Sequence, residues 1–83
     1  MPGRILYKSS VSRDLKKISP KDGTRILNQI GTTLSESPRG GEALHGEFQG
    51  LFKLRVGDYR VVYAIFGPDI LVLRIRHRGK AYD

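Results

Sequence analysis

Cations recur at every second position through much of the last third of this 83-residue chain, and that spacing is its strongest chemical signal. Lys53 and Arg55 lie two apart, Arg60 follows, and Arg74, Arg76 and Arg78 alternate with other residues. Successive side chains on a β-strand point to opposite faces, so residues two apart share a face. Three neighbouring strands cut from this stretch would raise all six cations on one surface suited to a polyanion. Arginine's planar fork donates two hydrogen bonds to phosphate oxygens and stays charged at any working pH. Arg55 and Arg60 are therefore the candidates for stabilising charge that develops on a phosphorus centre. Crowding by neighbouring cations disfavours a lysine's charged form, which makes Lys53 the candidate proton acceptor. His77 is a candidate acid or base by residue type, although alternation turns it toward the opposite face. Tyr82 offers a ring to stack on a base and a hydroxyl for a phosphate. Arg74, Arg76 and Lys80 read as steering and backbone contacts to nucleic acid. Each residue also has a plainer reading: solvated cations on a sheet, a hydrogen-bonded structural histidine, a terminal core tyrosine.

The elements that must position these residues are legible from pattern. Arg4 to Lys8 reads as a short first strand. Ser9 or Ser10 can cap a helix whose apolar stripe is Val11, Leu15 and Ile18. Ser19-Pro20 ends that helix and opens a second, with proline at its first position and Ser19 and Asp22 spaced as a capping box. The second helix runs to about Glu36, with Ile26, Leu27, Ile30 and Leu34 inward, and the two should form an antiparallel hairpin. Ser37 to Glu47 reads as a loop in which Leu44 plugs the core. Three strands follow: Phe48 or Leu51 to Val56, Tyr59 to Phe66, and Ile70 to Arg78. Gly57-Asp58 and Gly67-Pro68-Asp69 turn the chain between them. Alternation sends Phe52, Leu54, Val56, Tyr59, Val61, Tyr63, Ile65, Leu71, Leu73 and Ile75 inward. It leaves an outer face with a cationic end and an apolar zone of Val62, Ala64, Ile70 and Val72, and uncovered apolar surface suggests a partner. The expected fold is α+β, β-α-α-β-β-β, an antiparallel sheet with an N-terminal helical hairpin on one face.

Composition narrows the function. Residues 1–83 make a single domain with one small core. The absence of cysteine excludes disulfides and thiolate zinc sites. Two isolated histidines leave little for a metal, and no cofactor motif is present. Hydrophobic runs are short and no apolar signal segment opens the chain, so a cytoplasmic protein without membrane contact is expected. The formal charge of +7 attracts nucleic acid and acidic proteins. From Ile70 to Tyr82 the chain has no acidic residue.

The segments Arg55-Val-Gly-Asp-Tyr-Arg-Val-Val-Tyr63 and Ile75-Arg-His-Arg-Gly-Lys-Ala-Tyr82 resemble the RelE/ParE superfamily of type II toxins, and within it the RelE-like branch. The resemblance extends over nearly the whole chain. It implies a ribosome-dependent mRNA interferase: a small, metal-independent endoribonuclease that cuts mRNA in the ribosomal A site. There the 2′-OH attacks its own phosphate and leaves a cyclic phosphate. It also implies a cognate antitoxin, usually acidic. The family's functional positions fall on Lys53, Arg55, Arg60, Arg78 and Tyr82. The chain departs from some members at Leu51, where they carry a second lysine. Two other readings fit the same residues, a ParE-like gyrase inhibitor and a non-catalytic RNA- or ribosome-binding module.

Overall fold

Residues 3–37 and 40–77 are described by the computed structural model. Strand β1 (Ile5–Tyr7) leads into helices α1 (Ser9–Lys16) and α2 (Pro20–Glu36). A two-residue strand β2 (Glu42–Ala43) and a 3₁₀ turn at Gly46–Phe48 precede the long strands β3 (Leu51–Val56), β4 (Tyr59–Phe66) and β5 (Asp69–His77). The sheet order is β1-β5-β4-β3-β2. The meander β3–β4–β5 is antiparallel as expected, but β1 runs parallel to β5, with Ile5 opposite Ile70 and Tyr7 opposite Val72. The sheet is therefore mixed and five-stranded. The crossover through both helices carries the chain across the sheet, which lets β1 and β5 point the same way. Strand β2 lies within the segment read as a loop. Its two residues give it no period to detect, and it exists because Glu42 and Ala43 meet Lys53 and Phe52 on the sheet edge.

One face of the sheet carries the core. Val11 from α1 and Ile26, Ile30 and Leu34 from α2 pack with Val56, Val61, Tyr63, Ile70, Val72 and Ile75, all 5% exposed or less. Burying each such side chain contributes about 1.5–3 kcal/mol. Gly23 faces Leu15, where an added Cβ would stand 3.5 Å from its Cδ2, so the helices touch there. The Ser19 Oγ accepts the Asp22 N–H at 3.3 Å, as a cap should. The Asp22 carboxylate is turned instead to the Tyr59 hydroxyl, 3.4 Å away. No serine caps α1. Its helix begins at Ser9 itself, and the Ser10 hydroxyl donates to the Leu73 carbonyl at 2.6 Å.

Strand β5 departs from simple alternation. Val62 pairs with Arg74 and Tyr63 with Val72, so Leu73 is an extra residue in the ladder. Such a bulge shifts the parity of the side chains across it. Ile75 faces the core as expected, but so do Ile70 and Val72, while Leu71 takes the outer face with its neighbours Leu6 and Ala64. The expected apolar outer zone is thus corrected: Val62 and Ala64 remain in it, and Leu51, Leu71 and Leu73 replace Ile70 and Val72. Gly57 (φ 59°) and Gly67 (φ 57°) supply the left-handed backbone that opens each two-residue hairpin loop. Among the described residues no helix is long and apolar enough to cross a membrane.

Candidate nucleic-acid interface

The outer face is organised in rows across the strands. Arg55 lies opposite Arg60, and Arg60 opposite Arg76, so three arginines on three strands occupy one line. Like charges directly opposite one another disfavour pairing in a sheet, so this row concentrates positive charge on the outer face. The next row is Glu42, Lys53, Val62 and Arg74, and the one beyond it is apolar, Leu51, Ala64 and Leu71. Charge thus passes into apolar surface over two rows, about 13 Å along the strands.

Two cavities lie on this face and share a wall. A polar one of about 420 Å³ is lined by Gly40, Gly41, Glu42, Lys53, Leu54, Arg55 and Arg60. An apolar one of about 330 Å³ is lined by Leu44, Phe48, Leu51, Val62 and Leu73 and rimmed by Lys53, Arg60, Arg74 and Arg76. Lys53 and Arg60 belong to both. Leu44, read as a plug over the core, instead helps build this outer cavity. Its backbone N–H donates to the Leu51 carbonyl, which holds the loop over the β3 end of the face.

Glu42 is the residue that sequence pattern missed. Its carboxylate stands 4.0 Å from the Lys53 Nζ, and it is the acidic residue lining the polar cavity. The loop that carries it is pinned by the Gly41 N–H, which donates to the Tyr63 hydroxyl at 3.0 Å. A Cβ at residue 41 would meet the Lys53 carbonyl oxygen at 2.5 Å and the Tyr63 Oη at 2.6 Å, so this close approach requires glycine. Burial, opposed by that hydrogen bond, leaves the Tyr63 hydroxyl harder to ionise than usual. No local motif marks Glu42. Its position follows from the β2–β3 register.

Arg74, expected as a steering and backbone contact to nucleic acid, is paired with Asp14. Its Nε and Nη2 donate to the two carboxylate oxygens of Asp14 at 2.9 and 3.1 Å, and the Ile75 N–H donates to Asp14 at 2.9 Å. Asp14 is 7% exposed. Burial raises its proton affinity, but the Arg74 and Ile75 hydrogen bonds and the charges of Arg74 and Arg76 outweigh it and hold the carboxyl below its usual range. Arg76 lies near this edge and lines cavities on both faces. His77 lies on the helix-side face, its ring edge-on to Tyr59 at 5.3 Å and away from the arginine row. Arg78, Lys80 and Tyr82 lie outside the described residues. Among the described residues no three histidines or carboxylates come together as metal ligands would.

A family model for the ParE toxin of type II toxin–antitoxin systems matches residues 5–82. The chain belongs to the RelE/ParE superfamily of type II toxins. It is 32% identical to Toxin RelG of Mycobacterium tuberculosis over 99% of this chain and 98% of that protein. Toxin RelE of the same organism is 34% identical over 98% of this chain and 87% of the relative. The structure superposes on the toxin–antitoxin complex RelBE2 of M. tuberculosis with a TM-score of 0.86 and 31% identity, covering 94% of this chain and all of that one. The archaeal RelE–RelB complex of Pyrococcus horikoshii gives a TM-score of 0.75 at 26% identity, covering 98% of this chain and all of its counterpart. In this toxin the fold brings Lys53, Arg55, Arg60 and Arg76 onto one face, turns His77 to the other, and commits Arg74 to a clamp.

Proposed function

We propose that this toxin is an endoribonuclease that cuts mRNA in the ribosomal A site, and that a cognate, acidic antitoxin neutralises it. The observation that carries the reading is that Arg55 and Arg60 line one polar cavity together with the Lys53–Glu42 pair. Cleavage requires a proton taken from the ribose 2′-OH, attack of that oxygen on the adjacent phosphorus, and rupture of the bond to the 5′-oxygen, which takes up a proton. The products are a 2′,3′-cyclic phosphate and a 5′-hydroxyl. Arg55 and Arg60 bind the scissile phosphate and stabilise the charge on its non-bridging oxygens. Lys53 receives the 2′-OH proton, and Glu42 beside it offers a second acceptor. Arg76 extends the phosphate contact along the row. Arg78 and Tyr82 carry the roles that the resemblance implies, phosphate binding and orientation of the substrate. The antitoxin reading is supported by the RelE relatives, whose structures are complexes with RelB.

The test is to incubate purified toxin with programmed ribosomes and map mRNA 5′ ends by primer extension. Codon-positioned cuts that fall by about 10²–10³-fold in Arg60→Ala are the expected result. The matching family model carries the ParE name, which favours a second reading as a gyrase inhibitor. Absence of cuts, together with double-strand breaks formed by gyrase in cells, would replace the first reading by the second.

A further inference from the structure

We infer that Ser10 and Asp14 of α1 are positioning residues that hold the end of β5, and with it Arg76, in line with Arg60. The role rests on the ribonuclease reading above. Among the described residues β5 runs to His77, but β1 accompanies it only over residues 70–72. The last bond from that side is the Lys8 N–H to the Val72 carbonyl at 2.9 Å. Beyond it, two polar side chains of α1 take the place of a strand. The Ser10 hydroxyl donates to the Leu73 carbonyl at 2.6 Å, and the Asp14 carboxylate accepts the Ile75 N–H at 2.9 Å. Both residues are buried. Spacing explains the fit, since four residues of helix rise about 6 Å and two residues of strand about 6.6 Å. Side chains at i and i+4 of a helix laid along a sheet edge therefore meet alternate residues of the strand.

The hold falls where the sheet most needs it. Arg76 lies opposite Arg60, and Arg60 opposite Arg55, and like charges so placed disfavour pairing. That repulsion acts on the part of β5 that has a strand on one side alone. Asp14 counters it by a bond to the β5 backbone and by charge. Burial raises the proton affinity of the carboxyl, but Arg74, the Ile75 N–H and the charge of Arg76 outweigh it, so Asp14 stays ionised beside the row. Its two kinds of contact differ in reach. Arg74 anchors a side chain, with Nε and Nη2 at 2.9 and 3.1 Å from the carboxylate, whereas the Ile75 N–H anchors the backbone next to Arg76. Residues on the helix side of the sheet thus set where the third arginine of the outer row stands.

Cleavage on programmed ribosomes and amide hydrogen exchange, measured on the same purified variants, test this. Asp14→Asn and Ser10→Ala should each lower kcat by about 10- to 100-fold with little change in KM. Exchange should quicken at residues 74–77 in both, and not at Val61 or Tyr63. Arg74→Gln leaves the Asp14–Ile75 bond in place and should lower kcat less than Asp14→Asn does. Leu34→Val thins the core beside Ile70, at the opposite end of β5, and should keep wild-type cleavage at a comparable loss of urea midpoint. Faster exchange at residues 74–77 with unchanged kcat overturns the inference. So do equal losses in Arg74→Gln and Asp14→Asn, or a loss matched by Leu34→Val, since these assign the effect to the Arg74 side chain or to stability. No cleavage by wild type, with faster exchange at residues 74–77 and a flatter salt dependence of single-stranded RNA binding in Ser10→Ala, would remove the nuclease reading and leave the positioning role standing.

Discussion

Glu42 and Lys53 face one another across the β2–β3 edge, and the proposed ribonuclease mechanism turns on which of them accepts a proton. With Lys53 as acceptor, Glu42→Gln removes a counter-charge from the ammonium and should leave ribosome-dependent cleavage at or above wild type. Lys53→Met should reduce cleavage by about 10²–10⁴-fold, and Lys53→Arg should not restore it, because a guanidinium stays protonated. A comparable loss in Glu42→Gln, read in single-turnover assays, would move the proton acceptor to Glu42. Lys53 and the arginines were visible in the sequence because alternation groups them. Glu42 was hidden because the contact that gives it a role joins residues 42 and 53 through tertiary register, with no local spacing to announce it.

Helix α1 does at the element scale what β1 is too short to do. Strand β1 pairs with β5 only at residues 70–72, after which the Lys8 N–H, the Ser10 hydroxyl and the Asp14 carboxylate satisfy the β5 edge at Val72, Leu73 and Ile75. The helix thus closes an edge that would otherwise invite pairing with another strand. Asp14→Ala should destabilise the fold by about 1–3 kcal/mol in urea unfolding. That is less than for a fully buried pair, because Arg74 remains 44% exposed. The folded-state carboxyl is held below its usual value, so this contribution is complete above the unfolded carboxylate's pKa of about 3.9 and fades as pH falls through the folded value. Wild type should therefore lose stability below about pH 4 more steeply than Asp14→Asn does. On the opposite edge, Gly41→Ala should push β2 from β3 and lower cleavage, since the new Cβ has no room beside the Lys53 carbonyl and the Tyr63 hydroxyl. Unfolding midpoints and cleavage measured together would show whether the substitution acts on the groove or on the whole fold.

The whole molecule carries +7, and the proposed function divides its cations between holding the fold and meeting a polyanion. Arg74 is taken up by Asp14, whereas Arg55, Arg60 and Arg76 form the row on the outer face. Binding to single-stranded RNA should weaken linearly on a log–log plot against salt. Neutralising any one member of the row should flatten the slope by about 0.7. Arg74→Gln should reduce stability more than it changes that slope. A larger slope change for Arg74 than for Arg60 would show that the Asp14 clamp opens when RNA binds.

The sequence by itself determined the helical stripes, the glycine-led hairpins and the alternation of β3 and β4, because each is a local pattern with its own period. It also determined the resemblance to the toxin superfamily, carried by two contiguous segments, Arg55–Tyr63 and Ile75–Tyr82. Tertiary structure alone decided three things. The parallel pairing of β1 with β5 joins residues 65 apart in the chain. The bulge at Leu73 reverses the faces of half a strand, because one extra residue in a period of two exchanges inside for outside. The approach of Glu42 to Lys53, and with it the polar cavity that both line, exists only once β2 has paired with β3.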